Sequence, residues 1–125
     1  MKLLLDTHML LWWLADDARL GPEARELIAD PANDVLVSAV SLWEIVVKAR
    51  IGKLEADIGA ILAAVSANGF TRLGVEDAHL RALRDVPRHH RDPFDHLLIA
   101  QAMAEGAAFC SADAWVGRYG VKMVG

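Results

Sequence analysis

A single cysteine, Cys110, is all the thiol chemistry this 125-residue chain carries. It cannot form an internal disulfide, and it gives no hint of a zinc or redox motif, so a small apolar packing role suits it. Long apolar runs are missing too. Even Val35 to Val47 is interrupted by Ser38, Ser41 and Glu44, short of the roughly 18 apolar residues of a membrane span. The opening Met1-Lys2-Leu3-Leu4-Leu5 is broken by Asp6 and His8 before it reaches the length of an export signal. Repeats, low-complexity tracts and linkers are also absent. The expectation is one soluble cytoplasmic domain over residues 1–125, with 54% hydrophobic residues to build its core.

An overall excess of positive charge is lacking as well. The net charge of −4 argues against broad, non-specific nucleic-acid binding. Its distribution is uneven. Residues 1–47 hold eight acids and three bases, whereas residues 48–91 hold eight bases and five acids. Lys48, Arg88, His90 and Arg91 are therefore candidates to meet a phosphate backbone, although a solvated helix face and loop would have the same composition.

Apolar periodicity outlines alternating strands and helices. Lys2 to Leu5, Val35 to Ser38, Phe70 to Leu73, Ala107 to Cys110 and Val121 to Val124 read as short strands. Helices are expected at Met9 to Ala15, Pro22 to Ala29, Leu42 to Arg50, around Ile58 to Val65, at Glu76 to Arg84 and at Pro93 to Glu105. This order predicts an α/β fold of three α/β/α layers around a mostly parallel sheet of four to five strands. Ligands of such sheets bind outside the carboxyl ends of the strands.

Asp6, Glu44, Asp95 and Asp113 each follow a strand or open a helix, which brings all four to that edge. Two like charges about 4 Å apart repel by roughly 4 kcal/mol at an effective dielectric of 20, so a carboxylate cluster implies a cation. Helix capping is the competing explanation. Ser41-Leu42-Trp43-Glu44 matches a capping box, Asp92-Pro93-Phe94-Asp95 matches a helix start, and Asp6, Thr7, Ser111 or Asp113 could serve as caps. Caps do not explain Asp6 directly after Leu3-Leu4-Leu5, nor the shared sheet edge. Oxygen ligands without cysteine favour Mg²⁺ or Mn²⁺.

Leu3-Leu4-Leu5-Asp6-Thr7-His8, Ser38 to Ile45, His90 to Ala102 and Ser111-Ala112-Asp113 together resemble the ordered motifs of the PIN domain family, and among its members the VapC-type toxins of toxin–antitoxin pairs. The resemblance implies a Mg²⁺- or Mn²⁺-dependent ribonuclease, with Asp6, Glu44, Asp95 and Asp113 as the acidic quartet holding metal. Thr7, Asp92 and Ser111 would support it. It further implies a cognate antitoxin lying in an apolar groove and, commonly, a homodimer. Leu10, Trp12 and Trp13, in a helix apolar all round, are candidates for that groove. The pattern is departed from at His96, where many relatives carry Arg, and at Ser111, which replaces a frequent Thr.

Two other functions start from the same residues. A metal-dependent phosphatase could use Asp6 as nucleophile, although its usual second acid is replaced by His8. A peptide-binding module would use the acids only as caps.

Overall fold

The computed structural model describes residues 1–89, 92–113 and 119–125. Among these residues five strands run parallel: β1 (Lys2–Leu5), β2 (Asp34–Ser38), β3 (Thr71–Leu73), β4 (Ala108–Cys110) and β5 (Met123–Val124). Their order in the sheet is β3-β2-β1-β4-β5. The chain thus builds outward from β1 in one direction, then returns to add β4 on its other side. That reversal opens a crevice at the carboxyl ends of β1 and β4, where Leu5 pairs with Cys110.

Among the described residues six helices cover the sheet: α1 (Thr7–Leu14), α2 (Pro22–Ala29), α3 (Ala39–Arg50), α4 (Ile58–Ala67), α5 (Asp77–Asp85) and α6 (Pro93–Glu105). Alternation along the strands separates two cores. Leu3, Leu5, Val35, Val37 and Cys110 face Met9, Leu10, Ala24, Ile28, Ile45 and Val65. Leu4, Leu36 and Phe109 face Leu98, Ile99 and Ala102. Burial on both faces explains why the strands are apolar without interruption. The expected three-layer α/β/α architecture is the observed one.

Local signals set most of the boundaries. Asp92 accepts from the backbone N–H of Phe94 at 2.9 Å, Pro93 opens α6, and Gly106 at φ 63° closes it in a left-handed turn. α1 starts two residues earlier than its apolar run suggests, because Asp6 caps it by accepting from Met9 N–H at 2.7 Å. The expected capping box at Ser41 and Glu44 is corrected. Strand β2 passes into α3 without a loop, so Ser38 is the cap, accepting from Val40 N–H at 3.0 Å. Ser41 and Glu44 lie inside α3, both buried.

The cap of α3 is braced across the molecule. The Ser38 hydroxyl donates to Gln101 Oε1 at 2.5 Å, and Gln101 Nε2 donates to the Gly74 carbonyl at 3.2 Å. His79 is fully buried beside them. Its Nδ1 accepts from Glu76 N–H at 3.0 Å, which leaves the proton on Nε2 to be donated to Glu105 at 2.9 Å. Replacing Gln101 by Leu leaves the fully buried Ser38 hydroxyl without its acceptor. Urea denaturation should show Gln101→Leu less stable by about 1–3 kcal/mol; an unchanged midpoint would show that the brace contributes nothing.

Candidate active site

Asp6 leaves β1 at the reversal point, its backbone N–H donating to the Cys110 carbonyl at 3.0 Å. The side chain is only 6% exposed. One carboxylate oxygen caps α1, and the Ser111 hydroxyl also bonds this carboxylate. Ser111 Oγ in turn accepts from the Asp113 N–H at 3.0 Å, which ties the segment after β4 to the end of β1. Burial holds the Asp6 carboxyl above the usual carboxylate range, opposed by the Ser111 and Met9 hydrogen bonds and by His8, and reinforced by the negative charge of Glu44.

Glu44 reaches the same place from α3, 2% exposed. Thr7 donates to its Oε1 at 2.6 Å and contacts the Ser41 hydroxyl at 3.1 Å. Lys48, one turn further along α3, forms an ion pair with Glu44. That hydrogen bond raises the Lys48 pKa; burial opposes the shift, and the charges of Glu44, Asp92 and Asp95 add to it. The field of the ammonium thus reaches the start of α6, where Asp95 is half-buried in the first turn. Asp92 fills the capping role there, so Asp95 is not needed for it.

Asp6, Thr7, Ser41, Glu44 and Ser111 are thus joined directly or through one another, with Asp92 and Asp95 within the field of Lys48. Asp113 enters by its backbone N–H and is partly exposed. Among the described residues no three acids, histidines or cysteines stand close enough together to form a ready set of metal ligands. The donor chemistry nonetheless suits a hard cation: carboxylates and hydroxyls without thiolate, around an acid that binds its proton more tightly than usual partly because another carboxylate is near. A pocket of about 350 Å³ opens beside Thr7, His8, Glu44, Lys48 and Lys53.

The remaining candidates fall in different places. Leu10 is wholly in the core, not on a groove, because it packs in the layer between α1 and the sheet with Met9, Leu3 and Leu5. Trp12 is half-buried, with the Arg19 guanidinium 5.3 Å from its ring centre, and Trp13 donates to Asn68 Oδ1 at 3.0 Å. Arg88 is exposed ahead of α6. His90 and Arg91 lie outside the described residues. His96 is buried, its Nε2 at 3.1 Å from the Tyr119 hydroxyl, so it packs inward and does not face the crevice as a substitute for a surface Arg. The Ser38–Gln101–His79 brace had no signal in the sequence, since each residue is ordinary by itself. Cys110 is buried and its thiol is pushed up to about 12, mainly by burial, so it is inert.

A model of the PIN domain matches residues 3–121. The chain belongs to the PIN domain family. Several solved structures share the PIN fold of this chain. VapBC2 from Rickettsia felis bound to a promoter DNA fragment is 13% identical, covering 98% of this chain and 96% of that one, with a TM-score of 0.70. Mycobacterium tuberculosis VapC20, described as a Sarcin-Ricin loop cleaving toxin, is 22% identical over 95% of each chain, with a TM-score of 0.61. FitAcB from Neisseria gonorrhoeae is 15% identical over 98% and 96%, with a TM-score of 0.62. At such identities the likeness is one of fold. No curated protein matches the chain.

The raised pKa of Asp6 has a consequence for this PIN domain without metal. The carboxyl holds its proton more tightly folded than unfolded, so its contribution to stability is complete below the unfolded pKa of about 3.9 and is lost as pH rises through the higher folded value. Asp6→Asn keeps an oxygen for Met9 and removes the charge. In chelator, thermal melts should show Asp6→Asn more stable than wild type at neutral pH, with the gap closing on acidification. A gap independent of pH would mean that burial does not penalise this charge.

Proposed function

We propose that this PIN domain is a divalent-metal-dependent endoribonuclease, the toxin of a toxin–antitoxin pair acting in the cytoplasm. The observation that carries the reading is buried Asp6 at the reversal point of the sheet, followed by Thr7, which bonds buried Glu44, itself paired with Lys48. Asp6, Glu44, Asp95 and Asp113 would hold Mg²⁺ or Mn²⁺. The bound ion supplies water activation and charge stabilisation at the scissile phosphate.

The chain's own residues do the positioning. Thr7 fixes one oxygen of Glu44, and Ser111 orients Asp6 while anchoring the backbone of Asp113. Lys48 balances the carboxylates in the free protein and stands ready to meet a phosphate oxygen when substrate enters. Arg88 adds positive charge at the approach to α6, and His90 and Arg91, candidates from the sequence, follow it in the chain. An aspartyl-phosphatase role for Asp6 fits poorly, because one of its oxygens already caps α1 and the side chain is buried.

The family members named above supply the partner. An apolar groove of about 340 Å³ runs between α1 and α4, lined by Leu11, Leu14, Ala56, Ile61 and Ala64. We assign it to the antitoxin segment, with half-buried Trp12, next to Leu11 in the chain, as a further candidate contact, and we expect the toxin to pair as a homodimer. VapBC and FitAB complexes share the fold, and an amphipathic segment fits such a groove.

Purified protein should cut single-stranded RNA only with Mg²⁺ or Mn²⁺ and stop on chelation. Asp6→Asn and Asp95→Asn should each lower the rate by more than about 100-fold, beyond the 10–100-fold cost of losing a merely supporting residue. Undiminished cleavage by either variant would remove that acid from the site. For the partner, Trp12→Ala should weaken binding of the cognate antitoxin by about 30-fold, as loss of a buried aromatic anchor does at about 2 kcal/mol. Unchanged affinity in calorimetry would place the antitoxin elsewhere.

A further inference from the structure

Trp43 is 58% exposed, although the next residue, Glu44, is 2% exposed. Successive residues of a helix are turned by about 100°, so an acid aimed inward leaves its neighbour facing outward. The Trp43 ring meets Phe94 edge to face, with centroids 4.8 Å apart and planes at 66°. Phe94 directly precedes Asp95. Two aromatic rings therefore bridge α3 and α6, each one residue away from an acid of the proposed site. Lys48 lies one turn along α3, and exposed Arg88 precedes α6. Core packing does not account for a tryptophan this open to water.

We propose that Trp43, braced by Phe94, is a stacking platform for an unpaired base of single-stranded RNA. The proposal rests on the ribonuclease reading and deepens it by naming a substrate contact. Carboxylates and cations engage only the sugar–phosphate backbone, which is alike at every nucleotide. A base held on Trp43 sets which phosphate lies over the acids. The platform also selects against duplex, because paired bases are stacked on one another and offer no free face, whereas splayed bases stack readily on aromatic side chains. Phe94 supports the tryptophan at its edge and leaves the exposed part of the indole for the base.

The test uses the full chain carrying Asp6→Asn, so that substrate survives, and a fluorescein-labelled oligouridine of about ten nucleotides read by anisotropy. Adding Trp43→Ala should weaken binding about 5- to 100-fold, the loss expected when one base loses its stacking partner, whereas adding Trp43→Phe should retain most of the affinity. Sedimentation should give the same oligomeric state for all three proteins. Equal affinity of the Ala and parent proteins, while wild type still cleaves RNA with metal, would overturn the platform and leave the ribonuclease reading standing. A changed oligomeric state with unchanged affinity would overturn it too, assigning the ring to contact between copies. No binding by the parent and no cleavage by wild type would remove both.

Discussion

Strand β1 is hydrogen-bonded on both sides and buried on both faces, and the residue that leaves it, Asp6, joins three parts of the molecule. Its backbone continues the pairing to β4, its carboxylate caps α1, and the Ser111 hydroxyl meets it from the segment after β4. Any side chain at that exit is stripped of water. A carboxylate there is costly to ionise unless hydroxyls, N–H groups or a cation replace the lost solvation, and its surroundings are of that kind.

Glu44 is handled in the same way by different means. It sits inside α3 where no helix terminus can stabilise it, yet Thr7 and Lys48 take its oxygens. Among the described residues no buried side-chain nitrogen or oxygen lacks a hydrogen-bond partner. The acids are therefore held apart and individually compensated in the free protein, in place of being pressed into a bare cluster. That arrangement offsets the loss of water around Asp6 and Glu44 with hydrogen bonds and an ion pair. The brace through Ser38, Gln101 and His79 sets where α3 begins, and so where along it Glu44 falls.

Much of the fold could be read from local pattern. α6 has the bounds expected, Pro93–Glu105, because Asp92-Pro93 and Gly106 are strong start and stop signals. The reading failed where two short-range signals competed. Ser41-x-x-Glu44 has the letters of a capping box, but β2 runs straight into α3, and Ser38 takes the cap three residues earlier. Leu10 looked like excess apolar surface, since a helix apolar all round does not reveal how much of it two sheet-facing layers will cover.

By itself the sequence determined most of the secondary elements, the absence of disulfide chemistry, and the placing of Asp6, Asp95 and Asp113 next to element ends. The tertiary structure alone decided that Asp6 meets Ser111 and senses Glu44, that the field of Lys48 reaches α6, that His79 and His96 turn inward, and that Trp43 stays outside. Propensity, capping and periodicity act over a few residues. Residues 38 positions apart, like Asp6 and Glu44, become neighbours only through the strand order β3-β2-β1-β4-β5, which depends on how whole layers bury each other.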